Sequence, residues 1–166
     1  MLATTIRFTT FPRTEPPPPF IEQIVAVFRS VEEQIATERL QRHIKSDDVL
    51  RYLAPGLCAT GFQVESGKQA AQIIDRPVFF GENGEPTLRF EVDAYHQEWK
   101  CGLEIEAIRG IRGGAFYRDL IQAMVMVGIN HLCIALQLGA LGVLVVPTLH
   151  FCFLRVSVPD TVSFIL

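Results

Sequence analysis

The sequence has no excess of positive charge. Its 15 Lys and Arg residues are outnumbered by 18 Asp and Glu residues, so the formal net charge of the 166-residue chain is −3 at pH 7. A chain without a global basic field does not attract nucleic acid or an anionic membrane through its net charge, and a local basic patch has to hold any such partner. The composition therefore argues against a protein that binds nucleic acid over its whole surface.

Cysteine is also scarce, and the four that are present lie far apart. Cys58, Cys101, Cys133 and Cys152 form no CxxC pair and no Cys/His spacing typical of zinc ligands. A zinc site and a disulfide framework are therefore both disfavoured. The first twenty residues lack the continuous apolar segment of a signal peptide. These two absences favour a reduced, cytoplasmic setting.

The chain divides into three predicted segments. Hydrophobic residues make up 49% of it and charged residues 20%, which is typical of a globular domain with a sizeable core. A proline-rich N-terminal tail is predicted at 1–19, where Pro16 to Pro19 would be extended as polyproline. The predicted folded core spans 20–138, and an apolar C-terminal tail spans 139–166.

The apolar tail belongs to a longer uncharged stretch. From Leu132 to Leu154 there is no Asp, Glu, Lys or Arg, and more than about 18 such residues is the length signal for a membrane span. Gly139, Gly142 and Pro147 interrupt the stretch, so buried or edge strands explain it equally well. Both interpretations stay open.

The order of periodic segments in the core predicts a mixed α/β sandwich, with a central mixed sheet flanked by helices. Two helices come first, at 21–44 and 47–54, and the second is capped by Ser46 and closed by Pro55 and Gly56. A short strand at 58–65, three meandering strands, a helix and a last strand follow, at 76–80, 87–95, 101–108, 114–128 and 130–138. The Asn83-Gly84 pair predicts a hairpin turn between the first two strands of the meander.

Three of the acidic residues in the hairpin at 90–107, Asp93, Glu104 and Glu106, lie on its polar side. Alternate residues of a strand share a face, so Glu104 and Glu106 point the same way, about 6.6 Å apart. A turn centred between residues 98 and 99 places Asp93 directly opposite Glu104, where like charges repel. A divalent cation between Asp93 and Glu104 would offset that repulsion. The alternative is an acidic hairpin face that is simply solvated.

Magnesium is the cation that fits such a pair. Mg²⁺ takes oxygen ligands and commonly uses one or two carboxylates together with the oxygens of a substrate phosphate. Glu106, one strand repeat beyond Glu104, could then orient or deprotonate the water that attacks phosphorus.

The same three residues carry a resemblance to a known family. Asp93, Glu104 and Glu106, within "VDAYHQEWKCGLEIEAIRG", resemble the Asp-x10-Glu-x-Glu variant of the PD-(D/E)xK nuclease superfamily, in which Glu replaces the usual Lys. With "GGAFYRDLIQAMVM", the stretch looks similar to the branch of type II restriction endonucleases that cut at GATC-centred sites. The resemblance covers about 20–138 and implies a restriction-endonuclease-like core of one helix, three strands, a helix and a fourth strand.

The resemblance implies a Mg²⁺-dependent endonuclease that hydrolyses phosphodiester bonds in double-stranded DNA. Asp93 and Glu104 would be the metal ligands, and Glu106 would stand at the Lys position. The competing hypothesis is a nuclease-like domain without catalysis, which serves in binding or is anchored to a membrane by its apolar tail, since the Lys of the motif is absent. A homodimer is left open as an assembly.

Three arginines and one histidine complete the set of candidates. Arg109 and Arg112 flank glycines after the third strand, and Arg118 lies on the following helix, so all three are predicted to contact DNA. The alternatives are solvated loop arginines and, for Arg118, an ion pair at the helix surface. His96 in the hairpin could act as an acid or base, but a surface histidine is the simpler prediction.

Overall fold

The computed structural model describes residues 6–11, 13–36, 44–106, 115–138 and 140–147. Within these ranges lie helices α1 (Ile21–Ser30), α2 (Glu32–Ile35), α3 (Ser46–Ala59) and α4 (Ala115–Val125). The strands are β1 (Arg7–Thr10), β2 (Gln63–Val64), β3 (Asp75–Phe80), β4 (Pro86–Glu91), β5 (Ala94–His96), β6 (Cys101–Glu106), β7 (His131–Leu138) and β8 (Ala140–Pro147).

A mixed sheet of six strands organises the fold, in the order β1-β8-β7-β6-β5-β2. Strand β6 pairs with β5 in the antiparallel sense and with β7 in the parallel sense, and α4 forms the connection between β6 and β7. Helices α3 and α4 both contact β6. The predicted mixed α/β class is confirmed, and β6, which carries Glu104 and Glu106, is an interior strand of the sheet.

The sheet extends beyond the predicted core at both ends. Strand β1 comes from the segment predicted as an N-terminal tail, and it pairs in parallel with β8, which belongs to the apolar C-terminal segment. Strand β8 is also antiparallel to β7. The predicted boundaries at 20 and 138 therefore cut through one sheet, and residues 148–166 lie outside the described residues.

The uncharged stretch is extended chain as far as it is described, since residues 132–138 and 140–147 belong to β7 and β8. In the parts of the chain that the structure describes, no helix has the length and apolar character needed to span a bilayer.

The first predicted helix is shorter than its periodicity indicated. Instead of continuing to Ile44, α1 ends at Ser30, and Val31 lies outside helical geometry with φ −115° and ψ 15°. The Ser30 hydroxyl donates to the Val27 carbonyl at 2.7 Å, which competes with the backbone for that acceptor. A single turn, α2, follows the break, and residues 37–43 lie outside the described ranges.

The second helix is longer than predicted, because Pro55 and Gly56 lie inside α3 rather than beyond its end. Proline removes one hydrogen bond of a helix, but the chain continues in helical form to Ala59. Gly56 is required by close packing, since a Cβ atom there would lie 2.7 Å from Val27 Cγ1 of α1. The segment predicted as a strand at 58–65 is accordingly a strand only at Gln63–Val64.

The predicted strand at 87–95 is two strands that belong to different sheets. Strand β4 pairs with β3 in a separate two-stranded sheet, whereas β5 joins the main sheet. The chain leaves one sheet and enters the other at Val92 and Asp93, where the Val92 N–H donates to the Ile74 carbonyl at 2.9 Å. The predicted hairpin between β3 and β4 is confirmed, with φ of 63° and 75° at Asn83 and Gly84, but residues 81–85 connect the strands instead of a two-residue turn.

The β5–β6 hairpin is anchored by a partly buried aromatic stack. The His96 and Trp99 rings are parallel with centroids 3.8 Å apart, and Phe20 stacks on the other side of Trp99 at 4.8 Å. His96 Nε2–H donates to the Thr60 carbonyl at 2.9 Å, and its Nδ1 accepts from the Trp99 N–H at 3.1 Å. The prediction of a surface histidine is therefore wrong, because His96 is only 6% exposed.

We expect His96→Ala to lower the free energy of unfolding by about 2 kcal/mol, because the two hydrogen bonds and the stacking contact are lost together. Gln97→Ala, at the exposed neighbouring position, should change it by less than about 0.5 kcal/mol. Urea unfolding followed by Trp fluorescence measures both. Equal effects of the two substitutions would contradict a structural role for the stack.

Candidate functional site

The strand register that brings the carboxylates together is the one expected from the sequence. Ala94 pairs with Leu103 and His96 with Cys101, so the hairpin is centred between residues 98 and 99. Continued by one residue, this register places Asp93 opposite Glu104. The prediction that a turn at this position sets the pairing is confirmed.

Asp93 lies one residue beyond the β5–β6 ladder, and its side chain takes over the role of the backbone there. The Ile105 N–H donates to Asp93 Oδ2 at 2.8 Å. Short polar side chains often replace ladder hydrogen bonds in this way. The carboxylate is thus held at the face of β6 where the chain crosses between the two sheets.

A cavity of about 390 Å³ opens at this point. It contains Asp93 and Glu104 from the hairpin, three residues of α4, and parts of β4 and the loop after β2. The lining residues are Glu65, Lys68, Arg89, Phe90, Glu91, Val92, Asp93, Glu104, Arg118, Asp119 and Gln122. The structure therefore brings Asp93, Glu104 and Arg118 together, and Glu106 approaches the group from beside the cavity.

The carboxylates of the site hold their protons more tightly than ordinary carboxyl groups do. Burial raises the pKa of Asp93 to about 6, although the Ile105 hydrogen bond opposes the shift. Burial, with Asp93 and Asp119 close by, raises the pKa of Glu104 well above its usual range. Burial and a side-chain hydrogen bond with Asp119 raise the pKa of Glu106 to about 8. Three acidic groups thus share a site where their charges are poorly solvated.

Asp119 is the residue of the site that sequence reasoning missed. It lies on α4 and is 6% exposed, and its Oδ1 accepts a hydrogen bond from Arg118 Nε at 2.9 Å and forms an ion pair with a terminal Arg118 nitrogen, also at 2.9 Å. The signal was present in the sequence, because Arg118 and Asp119 are the only charged residues of the helix at 115–125. The sequence did not indicate, however, which surface this acidic residue contacts.

The rotation of α4 also differs from what its apolar spacing suggested. Asp119, Ala123 and Met126 are buried, whereas Ile121, Met124, Val125 and Val127 are 45–62% exposed. The apolar spacing at 116, 120, 121, 124 and 127 predicted the helix correctly. Three of these five residues, Ile121, Met124 and Val127, do not face the core. The helix turns a charged residue toward β6 instead.

Basic side chains line the same cavity. Lys68 pairs with Glu65, Arg89 with Asp75 at 3.1 Å, and Arg118 with Asp119. For Arg118 the alternative of an ion pair is confirmed, and its side chain is still 63% exposed beside the carboxylates. The other two predicted DNA-binding residues, Arg109 and Arg112, lie outside the described residues. Lys68, Arg89 and Glu65 had no distinguishing sequence signal.

The donor set is a carboxylate pair rather than a complete metal cage. Across the described ranges, no group of three or more His, Cys, Asp or Glu side chains is arranged to hold a metal ion. The residues nonetheless suit Mg²⁺, because that ion commonly keeps several waters and binds through one or two carboxylates.

No protein-family model, curated protein or solved structure matches the chain.

Without a bound cation, the protein should lose stability between about pH 4 and pH 8 as the pH rises. The folded-state pKa values of Asp93 and Glu106, about 6 and about 8, lie above their ordinary values of 3.8 and 4.5. An acidic group whose pKa is higher in the folded than in the unfolded protein stabilises the fold below its unfolded pKa. That contribution is lost as the pH rises past the folded pKa. Urea unfolding in EDTA across this range measures the slope.

We expect Asp93→Asn and Glu106→Gln to flatten that slope, because each removes one of the shifted groups. Glu91→Gln is the matched control, since Glu91 is exposed at the rim of the cavity. If all three variants follow the slope of the unmodified protein, the carboxylates do not share a poorly solvated site.

Proposed function

We propose that the protein is a metal-dependent DNA endonuclease of the PD-(D/E)xK type, with a restriction-endonuclease-like core. The observation that carries the proposal is the convergence of Asp93 and Glu104 in one cavity that also presents Lys68, Arg89 and Arg118. Carboxylates that attract a cation and basic groups that attract a phosphate lie within reach of one substrate.

The carboxylates supply the reason to bind a cation. Burial raises the cost of ionising both Asp93 and Glu104, and the nearby charge of Asp93 raises it further for Glu104. A divalent cation would hold both in the ionised form. When bound, Mg²⁺ would supply Lewis-acid stabilisation of a phosphoryl oxygen and lower the pKa of a coordinated water. Asp93 and Glu104 are the residues that would hold it.

The basic groups supply the reason to bind a phosphodiester. Arg118 is fixed by Asp119 at its Nε and one terminal nitrogen, and the exposed remainder of its guanidinium can face a phosphate. Lys68, in the loop after β2, also lines the cavity, and its side chain is 69% exposed. These local charges would hold DNA even though the chain as a whole is acidic.

The proposed role of Glu106 depends on its protonation state. In the proposed reaction its carboxylate accepts a proton from the attacking water, which requires the ionised form. Burial and Asp119 keep its pKa at about 8 in the absence of a cation, so a cation near Glu104 would favour the ionised base. This dependence supports a site that is assembled only when metal is present.

Purified protein should convert supercoiled plasmid to nicked or linear DNA with Mg²⁺ or Mn²⁺ and should be inactive in EDTA. Asp93→Asn and Glu104→Gln should each lower the rate by about 100-fold, on the scale seen when groups that organise a metal are lost. Glu91→Gln should retain the rate within about twofold, since an exposed rim carboxylate is not a ligand.

The variant Glu106→Lys distinguishes an active nuclease from a nuclease-like fold without catalysis. It restores the usual residue of the motif, so it should retain metal-dependent cutting or increase it. Intact DNA across metals and salt concentrations, from a folded protein and from Glu106→Lys alike, would leave the non-catalytic binding domain as the function.

The double variant Arg109→Ala, Arg112→Ala should weaken DNA binding and reduce its salt dependence. Each lost phosphate contact lowers the slope of log K against log salt by about 1, so the pair should lower it by about 2. Fluorescence anisotropy with a labelled duplex between low and physiological salt measures the slope. Arg51→Ala, on the exposed face of α3, is the control that should leave the slope unchanged.

A further inference from the structure

The residue that follows β2 lies beside the carboxylate pair. The β2–β5 and β5–β6 registers, each continued by one residue, place Glu65 opposite Asp93 and Asp93 opposite Glu104. The Glu65 N–H donates to the Asp93 carbonyl at 2.8 Å, which continues the β2–β5 ladder to this point. Side chains directly opposite each other in antiparallel strands share a face. All three side chains accordingly line the same cavity.

Glu65 differs from the other two carboxylates because it already holds a positive group. Its side chain is only 7% exposed, and its Oε1 accepts a hydrogen bond from Lys68 Nζ, three residues further along the chain. This hydrogen bond is the main reason that the pKa of Lys68 is raised, so the ammonium is protonated at neutral pH. Lys68 is therefore a positive charge that a buried carboxylate holds next to Asp93.

The ammonium of Lys68 has the charge and the donors that a phosphoryl group requires. It carries three N–H donors, and among the described residues Glu65 accepts one of them. The positive charge of Lys68 acts on Asp93, whereas that of Arg118 acts on the two carboxylates of β6. Strand β6 itself contains no basic residue. Positive charge beside Asp93 thus comes from the loop after β2, with donors left for a ligand.

We propose that Lys68 is a catalytic residue, which donates from its ammonium to a non-bridging oxygen of the scissile phosphate, and that Glu65 positions it. This inference rests on the proposed function and deepens it, since it assigns a role in the reaction to two residues outside the Asp-x10-Glu-x-Glu pattern. A donor that is already oriented toward an oxygen where charge develops stabilises the transition state more than the bound substrate. Lys68 should therefore affect the rate of cutting more than the affinity for DNA.

The proposed step moves no proton at Lys68. The oxygen of the attacking water forms a bond to phosphorus while the bond from phosphorus to the leaving oxygen breaks. Glu106 accepts a proton from the water, and the leaving oxygen takes a proton from the solvent. Negative charge is spread meanwhile over the non-bridging oxygens, where the Lys68 ammonium stabilises it and stays protonated throughout.

The test measures the rate of cutting and the affinity for DNA separately, with the full chain. Lys68→Met removes the ammonium, and Lys45→Met is the control, because Lys45 is exposed and does not line the cavity. With Mg²⁺ and protein in saturating excess over a labelled plasmid fragment, Lys68→Met should lower the single-turnover rate by about 100-fold, as the loss of one oriented donor typically does. Lys45→Met should leave that rate unchanged.

Fluorescence anisotropy in EDTA measures binding without cutting. The dissociation constant of Lys68→Met for the fragment should rise by less than about fivefold, which is the scale of one exposed charge contact. A lysine that serves only to hold DNA predicts the reverse pattern, in which affinity falls and the saturating rate is unchanged. That pattern would overturn the catalytic role.

The variant Glu65→Gln tests the positioning role. It keeps an oxygen acceptor but removes the charge that holds the ammonium, so it should lower the saturating rate by about 10-fold, since a small misplacement of a reacting group is costly. If Glu65 acts through Lys68, the double variant Glu65→Gln, Lys68→Met should be no slower than Lys68→Met alone. Losses that multiply in the double variant would overturn the positioning role.

The outcomes separate this inference from the proposed function. If the unmodified protein does not cut DNA with Mg²⁺ or Mn²⁺, the nuclease and its catalytic lysine both fail. If it cuts and Lys68→Met retains the saturating rate as Lys45→Met does, the nuclease proposal stands and the role of Lys68 is overturned. Thermal melting of each variant identifies a purely structural ion pair, which predicts a lower melting temperature with an unchanged saturating rate and would overturn the inference as well.

Discussion

The hydrogen bond from the Ile105 N–H to Asp93 Oδ2 is the interaction on which the site depends. At 2.8 Å it substitutes a carboxylate for a backbone acceptor where the chain passes from β4 to β5. That substitution lets β4 leave the main sheet while β6 keeps its pairing. It also holds one carboxylate beside Glu104 on an interior strand. The same contact thus divides the two sheets and creates the cavity between them.

The cost of this arrangement is electrostatic. Asp93, Glu104, Glu106 and Asp119 lie close together where burial disfavours ionisation. Arg118 offsets part of the charge through Asp119, but its guanidinium is largely exposed and screened by water. A group of acids that the fold does not neutralise by itself is consistent with a site completed by a cation. The aromatic stack of Phe20, Trp99 and His96 stabilises the hairpin that carries it.

Several features of the site could be predicted from local pattern. The position of the turn at 98–99 was enough to pair Asp93 with Glu104, because strand register follows from turn geometry. The alternation along β6 separated Leu103 and Ile105, which are buried, from Glu104 and Glu106, which are only partly so. Asp119 could not be assigned in this way. Its place depends on the rotation of α4, and the apolar spacing of that helix favoured another face.

The sequence by itself determined the alternation of helices and strands, the β5–β6 register and two carboxylates on one strand face. These follow from backbone periodicity and turn chemistry, which act within a few residues. The tertiary structure decided that β1 and β8 join the sheet, that β4 and β5 separate at Asp93, and that α4 directs Asp119 to the cavity. Those outcomes depend on contacts between residues far apart in the chain, where burial and hydrogen bonding override local spacing.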